Sequence, residues 1–194
     1  MQNYKLAGAI MGEAFYNYPL MLHAFKGYSD AERAKRVNHL YTSVAATAIM
    51  YGGLIVTPDE QGAITWLSGK HFPLGLYREI KSGMATLPIK LGLKPTNKLV
   101  QHDNPPEAWI RKNAGEKMGY IWTLGVRTAA QGKGLSRQLI EQSITDMRAQ
   151  GLSEFWLKTE DSKNVTIYQK IGFEVVNEIL VKSSGIKSWA MWRE

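Results

Sequence analysis

Between residues 29 and 53 apolar positions return every three or four residues. Val37, Leu40, Tyr41, Val44 and Ala48 fall on one stripe, separated by polar and basic residues. This period predicts a helix, capped by Ser29 or Asp30 and stopped at Gly52–Gly53. Before it, MQNYKLAGAIMGEAF reads as an opening helix and YNYPLMLHAFKGYS as an aromatic-rich connection interrupted by Pro19. After it, LIVTPDEQGAITWLSG predicts a hairpin of two short strands around Pro-Asp-Glu-Gln-Gly. Residues 69–118 are less regular: a helical segment near Leu74–Ala85, a basic run KLGLKPTNKLVQ, and DNPPEAWIRKNAGEK, whose paired prolines predict a short helix or turn. The last third is sharply patterned. GYIWTLGV reads as a strand, and residues 134–150 as a helix with Leu135, Leu139, Ile140, Ile144 and Met147 on one side and Gly151 as its stop. SEFWLKT predicts a strand, NVTIYQKIGF a short helix ending at Gly172, and FEVVNEILV and SWAMWRE two strands around KSSGIK. The succession strand–helix–strand–helix–strand–strand predicts an α+β fold with a mixed parallel and antiparallel sheet.

Length and composition add limits to this picture. The chain has 194 residues and enough apolar content for a real core, with no repeat and no clear linker, so a single domain over 1–194 is expected. Lys5 precedes an apolar stretch, but Glu13 cuts it short and no small-residue cleavage site follows, so a helix is read there rather than a signal peptide. No apolar run reaches membrane-spanning length. There is no cysteine, which excludes disulfides and thiolate chemistry and fits a reducing compartment; a cytoplasmic protein without membrane attachment is expected. His23, His39, His71 and His102 are scattered without ligand spacing, and no metal is expected. The net charge of +7 is uneven: residues 1–100 carry 11 Lys/Arg against 6 Asp/Glu, residues 101–194 carry 13 against 11. Such a balance favours a polyanionic ligand, either nucleic acid or a phosphorylated cofactor. Nucleic-acid binding through the basic first half has no motif behind it and is not expected.

VRTAAQGKGLSRQLI, residues 126–140, decides between those ligands. A glycine-rich turn running into a helix gathers backbone N–H groups without intrahelical partners, at the positive end of the helix dipole, and so suits a phosphate. Two familiar phosphate motifs fail here. A P-loop needs glycine where Arg127 stands and Ser or Thr where Gly134 stands. A dinucleotide fingerprint needs a third glycine where Arg137 stands.

The stretch instead resembles the acetyl-CoA-binding motif of the GNAT acetyltransferase superfamily, Gln/Arg-x-x-Gly-x-Gly/Ala, as Gln131-Gly132-Lys133-Gly134-Leu135-Ser136. Ser136 replaces the usual Gly/Ala with another small side chain. Downstream, NVTIYQKIGF resembles the second motif of that superfamily through Asn164, Tyr168, Gly172 and Phe173, with Asn164 and Tyr168 one helical turn apart. The two motifs cover about residues 117–194, an expected acetyl-CoA-binding core; residues 1–116 would be the acceptor side. FYNYPLMLHAF, the long basic helix and GGLIVTPDEQGAITWL are similar to the corresponding region of puromycin-type acetyltransferases.

The resemblance implies a three-layer α/β/α fold whose central, mostly antiparallel sheet splays at the acetyl-CoA site. It implies that the turn Gln131–Ser136 faces the pyrophosphate, with Lys133 and Arg137 offering charge and Asn164 turned to the same cofactor. Leu124, Gly125 and Val126 would pair with the pantetheine arm, and Gly125 would suit the bulge that splays the strand. An acceptor amine, on a small molecule or a protein, would attack the thioester directly. A backbone N–H near Leu124 would meet the oxyanion and Tyr168 would protonate the departing thiolate. A base is needed for the ammonium, and Glu13, His23, His102, Asp103, Glu107 and Glu116 are all candidates. Tyr16, Tyr18, Phe25, Tyr120 and Trp122 could line an acceptor pocket or simply pack the core. Two readings stay open: an acetyl-CoA-dependent N-acetyltransferase, monomeric or homodimeric, which Asn164 and Tyr168 favour, and a non-catalytic acyl-CoA-binding regulatory module.

Overall fold

The computed structural model of the chain describes residues 3–194; Met1 and Gln2, where the expected opening helix begins, lie outside the described residues. Among those described, eight α-helices surround one six-stranded sheet: α1 (Tyr4–Ala14), α2 (Pro19–Ala24), α3 (Asp30–Tyr51), β1 (Gly52–Val56), β2 (Gly62–Ser68), α4 (Leu76–Ser82), α5 (Leu87–Leu91), α6 (Leu93–Asn113), β3 (Met118–Val126), α7 (Leu135–Ala149), β4 (Glu154–Thr159), α8 (Ser162–Gln169), β5 (Glu174–Val181) and β6 (Ile186–Arg193). The strand order is β1-β2-β3-β4-β6-β5, and every neighbouring pair is antiparallel except β3–β4. The expected α+β class with a mostly antiparallel mixed sheet is therefore the observed one.

Alternation along the strands sends their side chains to two cores. Leu54 and Ala63 meet Ile10, Met11, Val37 and Val44 from α1 and α3 on one face. Ile64, Trp66 and Ile121 meet Leu139, Ile140, Ile144 and Met147 from α7 on the other. The long helix α3 begins with a capping box between Ser29 and Glu32, and its predicted stripe is buried. Gly52 and Gly53 do more than stop it. A Cβ at Gly52 would lie 2.0 Å from the Trp66 carbonyl oxygen, and one at Gly53 would lie 2.0 Å from the Trp66 ring, so the chain can turn directly from helix to strand only without side chains there.

Two expectations need correcting. Pro19 does not interrupt a connection: it stands at the first position of α2, where its missing N–H costs nothing. Nor do Pro105 and Pro106 open a short helix; both lie inside the 21-residue α6, which absorbs most of the illegible basic run. Pro95, Leu99, His102, Pro106 and Ile110 bury one side of that helix, and this packing outweighs the two missing donors. The Gln101 carbonyl, which Pro105 cannot serve, accepts instead from the Ser183 hydroxyl at 3.2 Å. The tight turn between β5 and β6 thus supplies a hydrogen bond that the proline removed.

Candidate active site

β3 and β4 pair only over Met118↔Glu154, Gly119↔Phe155 and Tyr120↔Trp156; beyond that the strands part. A bulge against β2 leaves Trp122 outside the register, which runs Thr65↔Thr123 and then Trp66↔Ile121. One extra residue shifts the alternation, so Thr123 reaches the sulfur of Met11 on α1 while Leu124 packs towards α7 and α8. The bulge was expected at Gly125; it is at Trp122. Gly125 pairs in register with Ala63, and a Cβ there would lie 3.1 Å from the Met11 backbone, so this glycine serves the close approach of α1.

The parting strands open a cleft of about 710 Å³. Leu124, Val126, Gln131, Gly132, Gly134, Leu135, Ser136, Arg137, Asn164 and Tyr168 line it, while Gly125 and Lys133 lie outside the wall. Gly132 and Gly134 both adopt left-handed backbone, with φ of 79° and 82°. Gly134 caps α7 without any side-chain hydrogen bond, so the N–H groups of the first turn, Leu135, Ser136 and Arg137, have no partner among the described residues and face the cleft. A Cβ at either glycine would meet nothing within 4 Å, so backbone conformation, and not crowding by the protein, requires glycine. Arg137 reaches across to donate to the Lys170 carbonyl at the end of α8, tying the two lips together.

The opposite wall is less visible in the sequence. Ala14, Phe15, Asn17, Tyr18 and Pro19 enter from the junction of α1 and α2. The Tyr18 hydroxyl accepts from the Glu160 N–H at 2.7 Å and donates to the Glu160 carboxylate at 3.0 Å, and the Thr159 hydroxyl lies 3.0 Å away. Asn164 donates to Thr159 at 3.4 Å, so a chain of hydrogen bonds leads from the cleft through Thr159 and Tyr18 to Glu160. Burial first, and then the charge of Glu160, raise the pKa of both Tyr18 and Tyr168 above the ordinary phenol value. Tyr168 therefore stays protonated throughout the physiological range, a hydrogen-bond donor but a weak acid.

Phe15 and Tyr18 also belong to a second pocket, of about 270 Å³, so the two spaces share a wall. Apolar side chains from α2, α3, α5, α6 and the segment around Phe72–Leu74 form most of it. Trp122 and Thr123, set on one face by the bulge, close it from β3. Its polar side holds Asp103 and Glu107, one turn apart on α6, with Lys158 from β4, Glu160 just after it, and Glu79 from α4. The Lys158 ammonium lies 2.7 Å from Asp103 and 3.0 Å from Glu160. Burial opposes that ammonium's charge, but the two carboxylates outweigh burial and raise its pKa well above the usual lysine value. Burial likewise opposes the charge of Glu160; Lys158 and His102 prevail and hold its carboxyl at about 2. Glu107 is pushed the other way, to about 8, by burial against the pocket and by Asp103.

The candidate bases thus separate. Glu107 and Asp103 line the second pocket, whereas Glu13 binds Arg127 and the Thr128 N–H, holding the end of α1 to the exit of β3. Glu116 is exposed before β3, and His23, half-buried on α2, lines neither space. His102 is buried behind Glu160, with Nδ1 2.8 Å from Ser184 and Nε2 3.4 Å from Glu160. Spacing alone hid that His102, Asp103 and Glu160 converge, with ligating atoms within 4.8 Å of one another; the Lys158 ammonium already offsets their charge. Of the aromatic candidates, Tyr18 and Trp122 line the pocket; Tyr16 stacks under Arg33 at 4.2 Å, and Phe25 and Tyr120 are buried in cores. Lys158, Thr159 and Glu160 were missed altogether. Their signal was present in WLKTED: charged residues two apart where a buried strand runs out.

A model of the acetyltransferase (GNAT) family matches residues 99–173, from α6 through α8. An uncharacterized N-acetyltransferase of Schizosaccharomyces pombe is 25% identical over 176 residues, 89% of this chain and 71% of the relative. The mycothiol acetyltransferase of Streptomyces scabiei is 33% identical over 67 residues, 34% of this chain and only 22% of that protein. Among solved structures, an acetyltransferase of Corynebacterium glutamicum has a TM-score of 0.65 at 17% identity and covers 100% of this chain and 92% of its own. Arylalkylamine N-acetyltransferase 2 of Aedes aegypti has a TM-score of 0.62 at 16% identity, over 98% and 93% of the two chains; at these identities both establish the fold alone. No helix among the described residues is long and apolar enough to cross a membrane. The family model over residues 99–173 and the N-acetyltransferase relatives support a likeness to the GNAT superfamily, and the fold agrees with it.

Proposed function

We propose that the protein is an acetyl-CoA-dependent N-acetyltransferase that passes the acetyl group directly to an amine. The observation that carries this reading is the cleft between β3 and β4, bordered by the unpaired N–H groups at the start of α7 and by Tyr168. Main-chain donors from Gln131 to Ser136, with the α7 dipole behind them, suit the pyrophosphate of coenzyme A. Lys133 is exposed near them and adds charge; Arg137 adds charge while it bridges to α8. Leu124, Gly125 and Val126 offer main-chain groups to an extended pantetheine arm where β4 no longer pairs. A thioester bound there is an activated acyl donor. A backbone N–H near Leu124 meets the developing oxyanion, Asn164 orients the arm, and Tyr168 donates its proton to the leaving sulfur.

The acceptor is a small-molecule amine or a protein amino group, and the second pocket beside the cleft favours an enzyme over a regulatory acyl-CoA sensor. The puromycin-type layout and a cytoplasmic setting, as monomer or homodimer, belong to the same proposal; they rest on the aromatic opening segment and the absence of cysteine. A thermal melt tests the core of it. At a hundredfold excess over its dissociation constant, acetyl-CoA should stabilise the fold by about 2.7 kcal/mol, with ATP and NADH doing less. A melt unmoved by saturating acetyl-CoA would overturn the assignment.

A further inference from the structure

We propose that the second pocket receives the acceptor as a small, apolar primary amine, which enters as its ammonium and gives a proton to Glu107. This rests on the acetyl-transfer reading and adds the acceptor class and the base. Three observations converge on it. The pocket shares Phe15 and Tyr18 with the cleft, so a nitrogen held at this wall stands next to whatever the cleft delivers. Most of its lining is aliphatic or aromatic, Leu20, Val44, Phe72, Leu87 and Trp122 among it, which suits a hydrocarbon body and leaves polar substituents unsolvated. Its polar side is anionic beyond what Lys158 offsets: Lys158 is committed to Asp103 and Glu160, while Glu107, among the described residues, makes no hydrogen bond or ion pair. A fourth, independent observation is the Tyr120 hydroxyl, buried and without a hydrogen-bond partner among the described residues, within electrostatic reach of Glu107, Lys158, Asp103 and Glu160.

An ammonium fits this arrangement, because Lys158 is committed to Asp103 and Glu160 and leaves Glu107 without a cation. At about 270 Å³ the pocket also excludes a bulky polar acceptor such as an aminoglycoside. The reaction balances. The ammonium passes one proton to the Glu107 carboxylate, and the freed nitrogen lone pair attacks the thioester carbonyl carbon. As the C–N bond forms and the C–S bond breaks, the sulfur leaves with its electron pair. The second proton shed by the nitrogen goes to that sulfur by way of Tyr168, and Glu107 returns its proton to water. Glu107 faces Asp103 on its own helix, Lys158 on β4, Glu160 just after β4 and Tyr120 on β3, and Glu79 of α4 lines the same pocket. Their summed field and burial set its carboxyl at about 8, close to neutrality, where a base is most effective.

The test is a panel of amines assayed by release of free CoA thiol with the full chain. Butylamine, hexylamine and 2-phenylethylamine probe the apolar wall; ethanolamine, an aminoglycoside and a peptide with a free amino terminus probe polar alternatives. Each buried methylene is worth about 0.8 kcal/mol, or roughly fourfold, so hexylamine should exceed butylamine by about 15-fold in kcat/KM. 2-Phenylethylamine should rank high and the polar amines lowest. Glu107→Gln should lower kcat/KM for the best amine by roughly 10²–10⁴-fold and remove a limb that rises with pH towards about 8. The thermal shift with acetyl-CoA should be unchanged in that variant, which also reports its folding. Should Glu107→Gln fail to fold, the wild-type ranking decides alone. A flat ranking, a preference for polar amines, or a folded Glu107→Gln that keeps its rate and pH profile would overturn the proposal. Absence of any acetyl-CoA shift in the wild type would instead overturn the reading beneath it.

Discussion

The cleft draws its polar groups from the main chain, and the pocket beside it draws them from side chains. In the cleft, N–H groups of Leu135, Ser136 and Arg137 and two left-handed glycines are supplied by one continuous segment. In the pocket, Glu79, Asp103, Glu107, Lys158 and Glu160 come from α4, α6 and the end of β4 with the residue after it, and meet only in the folded chain. A site made of backbone is held by conformation and depends little on which side chains surround it. A site made of ionisable side chains is held by their mutual charges, so one substitution disturbs all of them.

That contrast is sharpest at Lys158. Lys158→Met would leave Glu160 buried and Asp103 half-buried without their cation, at an expected cost of about 3–5 kcal/mol in denaturant unfolding. A loss below about 1 kcal/mol would mean that the carboxylates neutralise themselves and that the pocket is less dependent on charge than its geometry implies. The counterpart in the cleft is Gly134. Asn and Asp carry the same strain at φ 82°, about 1–2 kcal/mol, and differ only in charge. Gly134→Asp should abolish the stabilisation of about 2.7 kcal/mol expected from acetyl-CoA at a hundredfold excess, and Gly134→Asn should weaken it less. Equal behaviour of the two would place the phosphates away from this turn.

Tyr168→Phe tests the border between the regions while keeping the ring and its edge contact with Phe173. Burial and Glu160 make the phenol a weaker acid, so the loss of kcat should fall near the low end of the general-acid range, about 10²-fold, with cofactor affinity retained. Unchanged turnover with chemistry rate-limiting would reduce Tyr168 to packing.

The pocket's charges also set stability against pH, where the two glutamates act in opposite directions. Glu160 is depressed to about 2, so its contribution is present above the unfolded value near 4.5 and is lost as pH falls towards 2. Glu107 is raised to about 8, so its contribution is present below the unfolded value and fades as pH rises from about 4.5 to 8. For this pair stability should peak near pH 4.5, and Glu107→Gln should flatten the decline on the alkaline side. A decline that survives the substitution would assign it to another group.

The same contrast explains what could be read from the sequence. Gly132 and Gly134 were readable as cleft-lining residues because a backbone site leaves its glycines and helix start in consecutive residues, and Asn164 and Tyr168 because they stand one helical turn apart. Most of the helices and all six strands were legible from period alone. Glu107 stood out only as one of six candidate bases, and Lys158 and Glu160 not at all, because their meaning lies in partners 50 or more residues away. Pro105 and Pro106 misled for a related reason: what keeps α6 whole is burial of Leu99, Pro106 and Ile110, and a hydroxyl from Ser183, none of it local. Gly125 misled because its neighbour in space, Met11 of α1, lies far back in the chain.

The three-pair contact between β3 and β4 has a further consequence. Where the strands part, the sheet carries an internal edge, with main-chain groups as ready to recruit a stray strand as those of any outer edge. Outer edges are commonly guarded by charge, proline or twist. This one is guarded by depth: α1, α7 and α8 flank the gap, and the Arg137–Lys170 bond spans its mouth. A narrow, extended, amide-bearing chain can reach that edge, and a β-strand with its side chains cannot. The protein can therefore keep a permanently open place in its sheet without exposing itself to aggregation through it.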